Sequence, residues 1–209
     1  MTPQDFQKAT AASDDVMNSL YIYEKELYKW QKRSNLVSSS TLPDLWGRHF
    51  YDSMQLANYL PLNGEEISDI GTGAGFPGMV LAVLGVPNIT LIEKNSKKVE
   101  FLKRLKTLIK PKVKIVNKRI DKAQALKSDI VISRALAPLP ELLRLCTFIL
   151  KADGCIIVLK GKSFFRELTE AKKMWIMEIE HFQSRSDSSG VILKINNLRL
   201  RKYDKAYIA

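Results

Sequence analysis

The residues Asp69-Ile70-Gly71-Thr72-Gly73-Ala74-Gly75-Phe76-Pro77-Gly78 form the stretch of this sequence best suited to holding a small molecule. Glycines at a strand-to-helix junction let the backbone take positive φ and let a ligand lie directly on the main chain. Two chemistries share the pattern. Gly73-x-Gly75-x-x-Gly78 matches the dinucleotide fingerprint, in which a helix N-terminus receives a pyrophosphate. The strand-end pattern D-x-G-x-G-x-G, led by Asp69, is that of enzymes using S-adenosylmethionine. That molecule carries a sulfonium, an amino group and a carboxylate, and no phosphate. An acid beside the loop suits its cationic groups and would repel a pyrophosphate, so Asp69 favours the methyl donor. Glu93 lies about twenty residues beyond Gly73, where a carboxylate at the end of the second strand accepts hydrogen bonds from ribose hydroxyls.

Little else in the sequence suggests acid–base or nucleophilic chemistry. Tyr21/Lys25 and Tyr28/Lys32 have the Tyr-x-x-x-Lys spacing of some dehydrogenases, but they precede the glycine loop on an amphipathic helix and read as surface and core residues. His49 and His181 are the only histidines, too scattered for a metal site. Cys146 and Cys155 sit in apolar runs and read as buried thiols in a reducing compartment.

The surrounding elements fall into two parts. Leu20, Tyr23, Leu27 and Trp30 recur at steps of three and four, one face of a helix. Thr41 and Asp44 read as the start of a second helix, with Leu45, His49, Ser53, Leu56 and Leu60 along one side, ended by Pro61 and Asn63-Gly64. From Ile67 short apolar runs alternate with helical patterns. Strands are predicted near 67–70, 89–93, 113–117, 129–133 and 154–160, and helices near 77–84, 96–109, 139–149 and 163–175, with Pro77 in a first helical turn. Alternation of this kind predicts an α/β fold with a mostly parallel sheet covered on both faces. IMEIEHF and VILKINNL, joined by SRSDSSG, read as an antiparallel pair at the sheet edge. Residues 1–62 are thus expected to form a helical N-terminal extension packed on a domain of residues 63–209.

The chain has 209 residues, 45% hydrophobic and 26% charged, which excludes disorder as the main state. Its net charge is +11, and the stretch Lys94–Lys122 holds twelve Lys/Arg against Glu100 and Asp121. Lys194, Arg199, Arg201, Lys202 and Lys205 form a second basic group. Such concentration points to a polyanionic partner, with Lys103, Arg104 and Lys106 on a face that would track phosphates. No stretch reaches the roughly 18 apolar residues of a membrane span, and MTPQDFQKAT lacks the features of a signal peptide, so a cytoplasmic protein is expected.

Arg48-His49-Phe50-Tyr51-Asp52-Ser53, DIGTGAGFPG, Ser133-Arg134-Ala135 and Lys160-Gly161 follow one another in this order. Together they resemble the bacterial small-subunit ribosomal RNA methyltransferase G family, also called glucose-inhibited division protein B, over roughly residues 16 to 165. The resemblance implies a Rossmann-like class I S-adenosylmethionine methyltransferase fold. It also implies methyl transfer to N7 of guanine 527 in the 530 loop of 16S rRNA, within the small ribosomal subunit or an assembly intermediate. Carried over by position, Gly71 and Phe76 contact the cofactor in the loop that Asp69, Gly73 and Gly75 complete by the motif itself, Glu93 is the ribose acid, Ile120 and Asp121 hold the adenine, and Arg134 binds the cofactor. No metal, membrane or stable protein partner is implied, and a monomer is expected.

Guanine N7 carries an in-plane lone pair and no proton, so its methylation needs no general base and is served by positioning. The lack of an evident acid–base pair fits that reaction. Arg48, His49, Arg119 and Lys160 are the candidates for the substrate side, with helix packing, salt-bridging or a plain surface role as their alternatives. Two other functions remain open on the residues alone: a methyltransferase for another RNA or a small molecule, and a non-catalytic basic RNA-binding or assembly factor.

Overall fold

The computed structural model of the protein describes residues 1–61 and 63–201. Strands β1 (Ile67–Ile70), β2 (Ile89–Ile92), β3 (Val113–Val116), β4 (Ser128–Arg134) and β5 (Leu150–Lys160) run parallel, and β6 (Trp175–Gln183) and β7 (Val191–Leu200) complete a seven-stranded sheet. Its order is β3-β2-β1-β4-β5-β7-β6, with β7 antiparallel to both neighbours. The central strands are apolar on both sides because both faces are covered. Ile67, Leu91, Ile130, Ile132 and Ile157 point into one core, while Ile70, Ile92, Val131, Ile156 and Val158 point into the other.

The first core lies under α4 (Gly78–Val83) and α5 (Ser96–Ile109), and it also takes the N-terminal segment. Phe6 of α1 (Pro3–Thr10) and Met17, Leu20, Tyr23 and Leu27 of α2 (Asp14–Gln31) are buried in it. The second lies under α6 (Leu139–Cys146) and α7 (Phe164–Met174), where Cys146 is buried; Cys155, half-buried, packs against the first core. Trp46 belongs to the first core, with half-buried Trp30 packed against it.

The regular helix expected from Thr41 to Leu60 is not there. That segment is a 3-10 helix (Ser39–Asp44), a π-helical turn (Trp46–Tyr51), one α-turn, α3 (Asp52–Met54), and a second 3-10 helix (Gln55–Tyr59). Pro43 lacks the N–H a continuous α-helix needs, and Asp44 Oδ1 caps the next turn by accepting from Gly47 N–H at 3.2 Å. π-Turns recur where a backbone is bent to serve a site, and here one presents Arg48 and His49. Pro77 immediately precedes α4, and β5 begins four residues earlier than expected. Lys202 and Lys205 of the basic tail lie outside the described residues.

Candidate functional site

In open α/β sheets ligands bind beyond the carboxyl ends of the strands, where the order reverses. Here β1 and β4 meet at that point, and a cavity of about 610 Å³ opens above them. Its floor is the glycine loop. Gly71 and Gly73 have φ of +65° and +61°, a backbone sign that L side chains resist. A Cβ on Gly71 would stand 2.3 Å from Leu136 Cδ1, so packing also demands glycine there. On Gly73 it would meet nothing nearer than 3.8 Å, which leaves that side open to the cavity.

Asp69 does not face this cavity, contrary to the placement beside the cofactor expected from its position. Its side chain is buried beneath the loop, where one oxygen, Oδ2, accepts from both Thr72 Oγ1 and Gly78 N–H (2.8 Å). Asp69 is therefore a peg that closes the turn. Its other oxygen, Oδ1, has no partner. Burial raises its pKa to about 7, against the opposing pull of the Thr72 and Gly78 hydrogen bonds and of Arg134. Gly75 also lies away from the cavity, where a Cβ would meet Tyr23 Oη at 2.5 Å. Glu93 is buried behind the loop and accepts from Gly73 N–H (3.0 Å) and Asn95 N–H (2.8 Å), so it holds the open glycine in place.

Tyr23, read from sequence only as one residue of an apolar stripe, joins the N-terminal helix to the loop. Its hydroxyl donates to the Ala74 carbonyl, and its ring stacks on Phe76 with centroids 5.3 Å apart and planes at 4°. Phe76 also meets the Arg134 guanidinium, 4.8 Å from the ring centroid. Arg134 donates to the Arg48 carbonyl (2.8 Å), to Asp52 Oδ2 (3.4 Å) and to His49 Nδ1.

Because arginine only donates, His49 Nδ1 must be the acceptor, and the imidazole proton sits on Nε2 and is given to Thr41 Oγ1 at 2.8 Å. Burial, then the charges of Arg134 and Arg48, lower the His49 pKa to about 3. His49 is thus neutral, with both nitrogens engaged. Ala135 follows Arg134 with φ +50°, a strained value of the kind found where a site fixes the backbone.

The remaining walls are tied by ion pairs. Arg48 pairs with Asp187 at 2.6 Å, which raises the Arg48 pKa and lowers that of Asp187 to about 2. Ser186 donates to Asp52, and Gln55 bonds Ser184 and Ser186, so the turn between β6 and β7 is fastened to the segment just after the π-turn. Lys160 is not a free substrate-side cation. It pairs with Glu167 at 2.6 Å and donates to the Ala137 carbonyl at 2.9 Å, bracing the chain after β4.

Arg119 is exposed and paired with Asp121, and the Ile120–Asp121 segment lies beyond β3, outside the lining of the central cavity. Of the cations lining the cavity, Lys98 alone has no side-chain partner among the described residues. Sequence reading placed it only within a basic run; its position in the first turn of α5, directly above Gly73, was the missed signal.

These features fit a small amphiphilic molecule on the glycine loop. Gly73 leaves the room a Cβ would fill, the largely buried Phe76 reaches the lining, and Lys98 suits a carboxylate. Among the described residues no acidic, His or Cys group could hold a metal ion, and no helix is long and apolar enough to cross a membrane.

The sheet order, the reversed β7 and the loop after β1 define a Rossmann-like class I methyltransferase fold. The ribosomal protein L11 methylase of Lactobacillus delbrueckii subsp. bulgaricus shares that fold, with a TM-score of 0.57 and 15% identity over 69% of this chain and 75% of that one. The family model described as rRNA small subunit methyltransferase G matches residues 16–191. Proteins named ribosomal RNA small subunit methyltransferase G are 41% identical in Rhodospirillum centenum (94% of this chain, 91% of the relative) and 40% identical in Rhodospirillum rubrum (95% and 98%). The chain belongs to the rRNA small subunit methyltransferase G family. It is a methyltransferase, with S-adenosylmethionine as its cofactor.

Proposed function

We propose that the protein acts in the cytoplasm and methylates N7 of guanine 527 in the 530 loop of 16S rRNA, on the small ribosomal subunit or an assembly intermediate. The observation that carries this reading is one cavity in which the glycine loop, Arg134 and the π-turn bearing Arg48 and His49 converge without a free general base. Bound S-adenosylmethionine supplies an electrophilic methyl group on its sulfonium. Gly71, Gly73 and Phe76 seat it, Glu93 fixes the loop beneath, and Lys98 takes the carboxylate. Guanine N7 brings its own lone pair, so no residue has to remove a proton and the chain's task is alignment. Arg134, locked by His49, Asp52 and the Arg48 carbonyl, holds the wall against which that alignment is set. Residues 1–62 serve the same end, since Tyr23 and His49 reach the site from that segment.

Phosphates would be met by the basic face, with a revised set of residues. Arg104 lies 3.7 Å from Glu26, and Lys106 donates to the Val113 carbonyl at 2.6 Å. Lys97, Lys103, Lys110 and Lys112 are exposed, without side-chain partners among the described residues. The test is transfer of label from S-adenosylmethionine to small subunits from a strain lacking the protein, with the product mapped by N7-specific cleavage. One labelled guanine in the 530 loop supports the reading. Label elsewhere, or none despite cofactor binding, overturns it.

A further inference from the structure

Phe165 is the most exposed large hydrophobic residue among those described, at 69%. A ring so placed contributes little to the core, and it packs against one neighbouring ring. Phe164, buried and packed near His181, backs it with ring centroids 4.1 Å apart. The bare face of Phe165 therefore stands in solvent on the first turn of α7. The neighbouring residues Gly161, Ser163 and Glu167 line the cavity, and the Lys160–Glu167 pair fixes the segment that carries them. On either side in sequence are Lys162 and Arg166, both exposed and without a side-chain partner among the described residues. An exposed aromatic face between free cations has the chemistry of a single-stranded nucleic acid contact: the ring stacks a base and the cations meet its phosphates.

We propose that Phe165 is a stacking platform for a base of the substrate RNA flanking the methylated nucleotide, with Lys162 and Arg166 as its phosphate contacts. The proposal rests on the RNA reading above. By holding a neighbouring base, the platform would keep the target nucleotide splayed toward the cavity, in the way proteins recognise unstacked RNA loops.

The test measures KM for small subunits, kcat, and S-adenosylmethionine affinity in the full-length wild type and in Phe165→Ala, Phe165→Leu and Phe165→Trp. Loss of one base–aromatic stack weakens RNA binding roughly 5- to 150-fold. Phe165→Ala and Phe165→Leu should raise KM within that range while cofactor affinity stays at the wild-type value, and Phe165→Trp should restore KM. Lys162→Ala with Arg166→Ala should flatten the salt dependence of RNA binding by about 0.7 per lost phosphate contact on a log–log plot. An unchanged KM in Phe165→Ala, or a defect that leucine repairs as well as tryptophan, overturns the platform while wild-type methylation stands. A wild-type chain that binds cofactor but neither binds nor methylates RNA overturns the functional reading and the platform with it.

Discussion

Replacing Asp69 with asparagine isolates the buried charge beneath the glycine loop. Thr72 Oγ1 and Gly78 N–H both donate to Oδ2, so the amide oxygen of asparagine can keep both bonds in the same place. The amide nitrogen takes the position of Oδ1, which has no partner in the wild type. That introduces an unsatisfied donor at about 1–3 kcal/mol, a cost that does not change with pH. The carboxyl it replaces does depend on pH. Its folded pKa is about 7 against an ordinary 3.8, so the folded chain holds the proton that the unfolded chain releases. Wild-type stability therefore falls as pH rises from about 4 to about 7.

At about 1.4 kcal/mol per pKa unit, the buried carboxyl costs about 1.5 kcal/mol at pH 5 and about 4 kcal/mol at pH 8. Relative to wild type, Asp69→Asn should gain about 2.5 kcal/mol between those two pH values. For a chain of this size that is about 5–10 °C in relative Tm. Paired thermal and urea unfolding at pH 5 and pH 8 measures it. A stability difference between the two proteins that is the same at both pH values would refute the raised pKa of the Asp69 carboxyl.

The loop's two cavity-side glycines should respond differently to alanine. Gly71→Ala drives a Cβ to 2.3 Å from Leu136 and should lower stability by about 2–4 kcal/mol in denaturant titrations, whereas Gly73→Ala has room and should cost only the about 1–2 kcal/mol of its backbone sign while weakening cofactor binding by calorimetry. The His49 imidazole should stay neutral by NMR until near pH 3. With its folded pKa below the usual 6.5, its contribution to stability is present above about pH 6.5 and is lost as pH falls toward 3. Titration of His49 near 6.5 would contradict the buried lock with Arg134. Reversing the charge of Lys97, Lys103, Lys110 and Lys112 should weaken RNA binding and flatten its salt dependence with the fold intact by circular dichroism; unchanged affinity would remove this face from the interface.

Much of the scaffold was written in local patterns. Runs such as Ile67–Ile70 and Val113–Val116 are short, apolar and bounded by turn residues, and their alternation with helical periods dictates a parallel sheet. Gly71 and Gly73 were legible because a positive φ costs a residue with a Cβ about 1–2 kcal/mol and glycine nothing. Side-chain assignments that depend on direction were not. Asp69 sits at the right position in the motif but points down into the turn, and Lys160 ends a strand but is claimed by Glu167 seven residues later. Pro43 and the π-turn bent the expected helix, because a helical period cannot report which carbonyl each N–H will find. The sequence by itself determined the class of fold, the loop and the sign of the surface charge, all of which follow from residue type and spacing. Only the tertiary structure decided that Tyr23, His49 and Asp52 reach across to Phe76 and Arg134, since contacts between residues 50 to 90 positions apart arise from how the N-terminal segment packs on the sheet.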